Sequence, residues 1–182
     1  MLHVYVDESA RDTYGLCVVA AVVLDASQEA AARAELAVIL PPGAKRLHWN
    51  KDSPVVRNQV AQVLQRNAHH VAAYLSYYDA NKRMNEARAR CLTHLFGDVG
   101  GVPYETVTLD QRTPHQDTRD RTLWTQQCVR LQLRNPPQLQ HDGTLTEPLL
   151  WLADAAAGAV GEHLVNNDPT YVQLFASKLV IA

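Results

Sequence analysis

"LHVYVDESA" (residues 2–10) decides how the rest of the chain is read, because an apolar run stops abruptly at two adjacent carboxylates, Asp7 and Glu8. Side chains of an extended strand alternate, so Val4 and Val6 face one side and His3, Tyr5 and Asp7 the other. Asp7 is then expected at the strand tip. Charged residues are rarely fully buried without a partner, so that tip requires water, a basic side chain or a metal.

Working outward, "TYGLCVVAAVVL" (13–24) is rich in β-branched residues and almost continuously apolar behind the polar "SARD". It predicts a second strand, buried on both faces and paired with the first as a hairpin. Two helical segments follow. "SQEAAARAELAVIL" (27–40) has Ser27 as its N-cap candidate and is ended by Pro41, Pro42 and Gly43. "SPVVRNQVAQVLQR" (53–66) has Ser53 as cap and Pro54 in the first helical position, where its missing N–H costs nothing.

Beyond them, "HHVAAYLSYY" (69–78) reads as a strand and "NKRMNEARARCLTHLF" (81–96) as a helix. "YETVTLD" (104–110) is a strand that again finishes on an aspartate, and 116–134 is helical up to Pro136 and Pro137. "QLQ" is a short strand, and a last helix is expected over 147–164 behind a Thr146 cap. Strands that alternate with helices favour an α/β fold, since parallel neighbours need helical crossovers. The expectation is one domain over 1–182, with a mixed central sheet of about five strands flanked by helices and a helical insertion (27–67) after the first hairpin.

The 182 residues are 47% hydrophobic and 20% charged, with a formal net charge of −2. That balance suits a globular chain and supplies no general pull toward nucleic acid, so any such binding must come from a local patch. Cys17, Cys91 and Cys128 are far apart and lack CxxC spacing, as expected of buried thiols in a reducing compartment. The opening residues do not resemble a secretion signal, and 14–24 is too short to span a bilayer. A cytoplasmic protein without a membrane partner is expected.

The strongest internal clue is "TEPLLWLADAAAGAVGEHL" (146–164), in which Asp154 is the only charge between Glu147 and Glu162. Helical spacing puts Asp154 on one face with Leu150, Ala157, Gly158 and Gly161. Glycine inside a helix costs about 1 kcal/mol relative to alanine, so two of them there suggest a close approach to the sheet. Asp7, Asp110 and Asp154 are therefore candidates for one acidic cleft, because adjacent parallel strand tips lie side by side. Like charges so gathered are relieved by protonation or by a divalent ion, and all-oxygen ligands suit Mg²⁺ or Mn²⁺.

"YVDES", a middle strand ending "LD" and the late "LLWLADAAAGAV" together resemble a bacterial and phage family known as domain-of-unknown-function family 3800, similar in turn to the ribonuclease H-like, retroviral integrase superfamily. The resemblance spans nearly the whole chain. It implies a ribonuclease H-like fold and a metal-dependent nuclease or related phosphoryl-transfer enzyme, in which acids on the first strand, on or after the fourth strand and on the last helix hold two divalent ions. By position, Asp7, Asp110 and Asp154 match these ligands, with Glu8 accessory; Asp7 would bridge both ions. Two such ions activate an attacking water and stabilise the leaving oxygen of an in-line displacement. The chain departs from the family where Leu150 and Trp151 stand near its usual glutamine.

The implied partner is a nucleic acid, DNA or RNA. In "KRLHWNKD" (45–52), Lys45, His48 and Lys51 are candidates to reach the site, His48 because the family often carries a histidine there; a solvated loop anchored by Trp49 is the alternative. Arg112 is a further substrate-binding candidate within a run of arginines, Arg112, Arg119, Arg121, Arg130 and Arg134, that follows Lys82, Arg83, Arg88 and Arg90. His69 and His70 read as surface residues, Glu86 as a helix surface charge, and Tyr74, Tyr77 and Tyr78 as strand packing. Two other readings stay open: a non-catalytic nucleic-acid- or protein-binding module on the same fold, and a structural ion-pair network between the carboxylates and arginines such as Arg112.

Overall fold

The computed structural model describes residues 1–79 and 83–182. Its first hairpin pairs β1 (Leu2–Arg11) antiparallel with β2 (Leu16–Asp25). Gly15 makes the turn tight: its φ is +56°, and an added Cβ would lie 2.0 Å from the carbonyl oxygen of Tyr78. After β2 come α1 (Ala26–Ile39), α2 (Pro54–Asn67), β3 (Ala68–Tyr77), α3 (Met84–Gly100) and β4 (Thr106–Asp110). The chain continues through α4 (Pro114–Arg130), β5 (Gln138–Asp142), α5 (Leu150–Asn166), the short α6 (Val172–Phe175) and β6 (Leu179–Ile181).

The six strands form one mixed sheet in the order β5-β4-β1-β2-β3-β6, with β1 to β3 antiparallel and β4, β5 and β6 each parallel to an inner neighbour. The architecture is α/β, as the alternation of elements requires. It has one strand more than expected: the terminal "LVI" is too short to carry a period of its own and is added beside β3.

β2 is buried on both faces. Leu16, Val18, Ala20, Val22 and Leu24 join a core beneath α1, α2, α5 and α6, whereas Cys17, Val19, Ala21 and Val23 join a second core with α3 and α4. Cys17 and Cys91 are buried free thiols, while Cys128 is only half-buried. Tyr74 packs in the second core, but Tyr77 at the end of β3 is exposed. Among the described residues no helix is long and apolar enough to cross a membrane.

Several boundaries differ from the sequence reading for local reasons. α1 is capped by Asp25, whose carboxylate accepts the Ser27 amide at 2.9 Å, not by Ser27 itself. Ser53 and Pro54 open α2 as expected. The expected start of the third helix, with Asn81 and Lys82, lies outside the described residues. α4 begins earlier, at Pro114, behind a Thr113 and Gln116 capping box, and stops at Arg130, before the prolines, where Gln132 turns left-handed at φ 53°. α5 starts at Leu150 instead of residue 147, because the Thr146 hydroxyl is taken by Asp142 and the Gly143 carbonyl. Glu147 meanwhile accepts the Leu149 amide at 3.0 Å and pairs with Arg33 of α1 at 2.8 Å.

Candidate metal centre

β1 does not end at Asp7. It runs four residues further beside β2, and Asp7 sits opposite Ala20. What ends there is the pairing with β4, whose last partners are Val6 and Leu109. One residue on, Asp110 closes β4 beside Asp7, and Asp110 pairs in turn with Asp142 of β5. Three aspartates thus form a row across three neighbouring strands. Asp142 is consumed locally, since its carboxylate accepts the Gly143 amide at 2.7 Å and the Thr146 hydroxyl.

Asp154 reaches this row from α5, which packs across β1 and β2. Its Oδ2 accepts the Trp49 amide at 2.8 Å and lies 3.4 Å from His48 Nδ1. The two glycines of that helix face do permit close approach, but to side chains and not to the sheet. A Cβ on Gly158 would lie 2.3 Å from the Trp49 ring, and one on Gly161 would lie 2.9 Å from Arg11 Nε. Trp49 is wedged further by Tyr171, with ring centroids 4.9 Å apart, and by the Arg57 guanidinium 5.2 Å from its centroid.

Asp7, Glu8, Asp110 and Asp154 border one cavity of about 210 Å³, closed by Arg46, Leu47, His48 and Thr144. Burial pushes the Asp7 carboxyl well above its ordinary range, and the charges of Glu8, Asp154 and Asp110 push the same way; the hydrogen bond from the Glu8 amide at 2.7 Å opposes them. Asp110 is pushed up to about 6, chiefly by burial and then by the Glu8 charge, against the pull of Arg46 and Arg112. Among the described residues no lysine or arginine lies within ion-pair distance of Asp7, Asp110 or Asp154. A buried carboxylate in that setting is relieved by a proton or a divalent cation. All-oxygen donors are the type that a hard cation such as Mg²⁺ or Mn²⁺ takes, but among the described residues the three aspartates are not a group whose ligand atoms gather within 4.8 Å of one another.

Glu8 is placed differently from the accessory ligand that the resemblance implies. Strand alternation turns it to the α3 and α4 side, where Oε2 lies 2.9 Å from Arg88 Nε and Oε1 lies 3.2 Å from Arg112 Nε. Arg88 is buried and also pairs with Asp120 at 2.6 Å. Asp120 Oδ2 lies 3.4 Å from His141 Nε2, and Asp117 Oδ1 accepts the Arg112 amide at 3.0 Å. Asp117, Asp120 and His141 place their ligand atoms within 4.8 Å of one another, the tightest acid and histidine group among the described residues. There an arginine already answers the negative charge, so the arginine network is distinct from the three aspartates.

His48 borders the acidic cavity, and Arg112 flanks it through Glu8, whereas Lys45 and Lys51 are exposed and do not border it. Arg46 and Thr144 were not legible as site residues. Arg46 Nη1 donates to Thr144 Oγ1 at 2.5 Å, a contact between residues 98 apart that no local pattern announces. The side of Glu8, by contrast, follows from the period-2 rule once Asp7 is assigned to the helix-α5 face. In comparisons with known proteins, the chain matches no protein-family model and no curated sequence.

Proposed function

We propose that the protein is a divalent-metal-dependent nuclease, or a related enzyme of phosphodiester transfer, built on a ribonuclease H-like core. The observation that carries the reading is Asp7: a carboxylate on the cavity wall beside Asp110 and Asp154, raised chiefly by its burial and then by the charges of Glu8, Asp154 and Asp110, and without a basic partner within ion-pair distance. The placement of Asp7 on β1, Asp110 on β4 and Asp154 on the last long helix agrees with the distribution of acids that the sequence resemblance implies.

Asp7, Asp110 and Asp154 would hold the cation. When bound, such ions lower the pKa of a coordinated water and offset charge on a phosphodiester. The protein's own part is preorganisation. Asp7 is fixed within a paired strand, Asp110 by the β4 ladder, and Asp154 by the Trp49 amide. His48, 3.4 Å from Asp154, borders the mouth, where it can donate to a phosphate oxygen or to Asp154. The Leu47 side chain is buried and closes one wall.

The test begins with crystals soaked in Mn²⁺ and anomalous maps around the three aspartates. Peaks about 2.1 to 2.2 Å from their oxygens are expected, and Asp7→Asn and Asp154→Asn should each abolish Mn²⁺ binding and cleavage of a nucleic-acid panel while leaving the protein folded. Absence of metal at all three residues in the wild type, or unchanged cleavage in both variants, would overturn the reading. Salt-dependent nucleic-acid binding that is insensitive to chelation and accompanied by no cleavage would point instead to a binding module.

A further inference from the structure

A second set of metal-ligating atoms gathers on the opposite face of the sheet from Asp154. Asp117 and Asp120 are three residues apart on α4 and so share one face of that helix, and His141 of β5 meets them from the sheet. His141 Nε2 lies 3.4 Å from Asp120 Oδ2 and 3.9 Å from Asp117 Oδ1. Both separations are long for N–H···O bonds, which cluster near about 2.9 to 3.0 Å. They suit donors that share one tetrahedral ion, which stand about 3.4 Å apart when each bond is about 2.1 Å.

His141 is also short of partners. Its side chain is 1% exposed, Nδ1 has no hydrogen-bond partner among the described residues, and Nε2 has only the long contact with Asp120. Buried polar atoms are nearly always satisfied, so an imidazole in this condition, aimed between two carboxylates, points to a ligand at Nε2. The charges point the same way. Burial pushes the Asp120 carboxyl up, but the bonds from His141 and Arg88 outweigh it and hold the group below its ordinary range. Arg88 takes Asp120 Oδ1 at 2.6 Å and leaves Oδ2 to face the imidazole. Across the network the guanidinium groups of Arg88 and Arg112 stand against the carboxylates of Glu8, Asp117 and Asp120, which leaves one negative charge over.

We infer that Asp117, Asp120 and His141 form a separate site for a zinc-type divalent ion, which pins the edge strand β5 to α4. One imidazole nitrogen with two carboxylate oxygens suits Zn²⁺ or Co²⁺ better than it suits the harder Mg²⁺. Three protein donors leave one position of a tetrahedron. The hollow beside Asp120, bordered by Arg88, Arg112 and Gln116, holds about 20 Å³, room for about one water molecule, so water completes the shell and no substrate reaches the ion. Its part is to hold two elements together. The inference does not depend on the function proposed for Asp7, Asp110 and Asp154.

The experiment is calorimetric titration of Zn²⁺ into chelator-stripped Asp154→Asn protein, chosen so that the acidic cavity does not contribute. One equivalent should bind and raise Tm, and adding His141→Gln should weaken that binding by about 100-fold or more and remove the Tm shift. Co²⁺ in place of Zn²⁺ should give the strong visible absorption of a tetrahedral site, lost again with His141→Gln. Wild-type crystals grown with Zn²⁺ should show an anomalous peak about 2.0 to 2.1 Å from His141 Nε2, a measurement that stands even if the variant fails to fold. No Zn²⁺ bound, binding unchanged by His141→Gln, or an anomalous peak only elsewhere overturns the inference; the imidazole then answers the leftover charge with a proton. Mn²⁺ found at the three aspartates with no Zn²⁺ at His141 refutes this site alone, whereas Zn²⁺ at His141 with no metal at the aspartates refutes the metal centre alone.

Discussion

Gly158→Ala places one methyl group where the site can least absorb it. The added carbon would lie 2.3 Å from both Cγ and Cδ1 of Trp49 and 2.8 Å from its Nε1, against an ordinary contact of about 3.5 to 4.0 Å. The indole must therefore retreat by more than about 1 Å. It has little room to do so, being 3% exposed and held between Tyr171 and Arg57. Overpacking of this kind costs about 1 to 3 kcal/mol, and alanine returns up to about 1 kcal/mol as the better helix former. A net loss of about 1 to 2 kcal/mol follows, which for a domain of this size lowers Tm by about 2 to 8 °C. Urea denaturation followed by tryptophan fluorescence measures it. Gly101→Ala is the control, since nothing lies within 4 Å of its added carbon and its φ is −88°; it should stay within about 0.5 kcal/mol of wild type. Because the Trp49 amide holds Asp154, Gly158→Ala should also weaken Mn²⁺ binding. A Gly158→Ala protein as stable as wild type would refute the packing argument.

Chelated protein should lose stability as pH rises from about 4 to about 6: Asp110 has a folded pKa of about 6 against an unfolded value of about 3.9, so the folded state carries the extra proton in that window. Asp110→Asn should flatten this part of the profile, and thermal melts across the range would show whether it does. Arg88→Met should destabilise the fold by about 3 kcal/mol by removing the buried cation shared by Asp120 and Glu8, which leaves Asp120 beside His141 and Glu8 beside Arg112 alone. A chemical denaturation curve matching wild type would refute the view that this arginine holds the α4 side together.

The α/β architecture was legible because β2 has almost no polar residue and must be covered on both faces, and because Ser53 with Pro54 announces a helix start that the structure keeps. Asp7 and Asp110 stood out as acids at the ends of apolar runs, and Asp154 as the only charge between Glu147 and Glu162. What was not legible depends on partners distant in sequence. Thr146, Glu147 and Pro148 have the composition of a helix start, yet Asp142 and Arg33 capture the two polar side chains and delay α5 to Leu150. The glycines of α5 signalled a close approach correctly, but the residues approached, Trp49 and Arg11, lie in a loop and at a strand end whose positions no periodicity specifies.

The extension of β1 past Asp7 divides the site into parts that can change at different rates. Asp7, Asp110 and Asp154 ride on laddered strands and a packed helix, and Arg11, at the far end of that same strand, is tied to α5 by a 2.9 Å bond to the Gly158 carbonyl. Arg46, His48 and Leu145 belong instead to the connections at 40–53 and 143–149. Loops tolerate substitution and insertion far better than laddered strands, so under the function proposed above lineages of this protein could exchange the surfaces that would select a target while the frame that carries the three aspartates stays constant. On that proposal, variation concentrated in those two connections would record a change of target, and variation at the three aspartates a loss of the proposed metal centre.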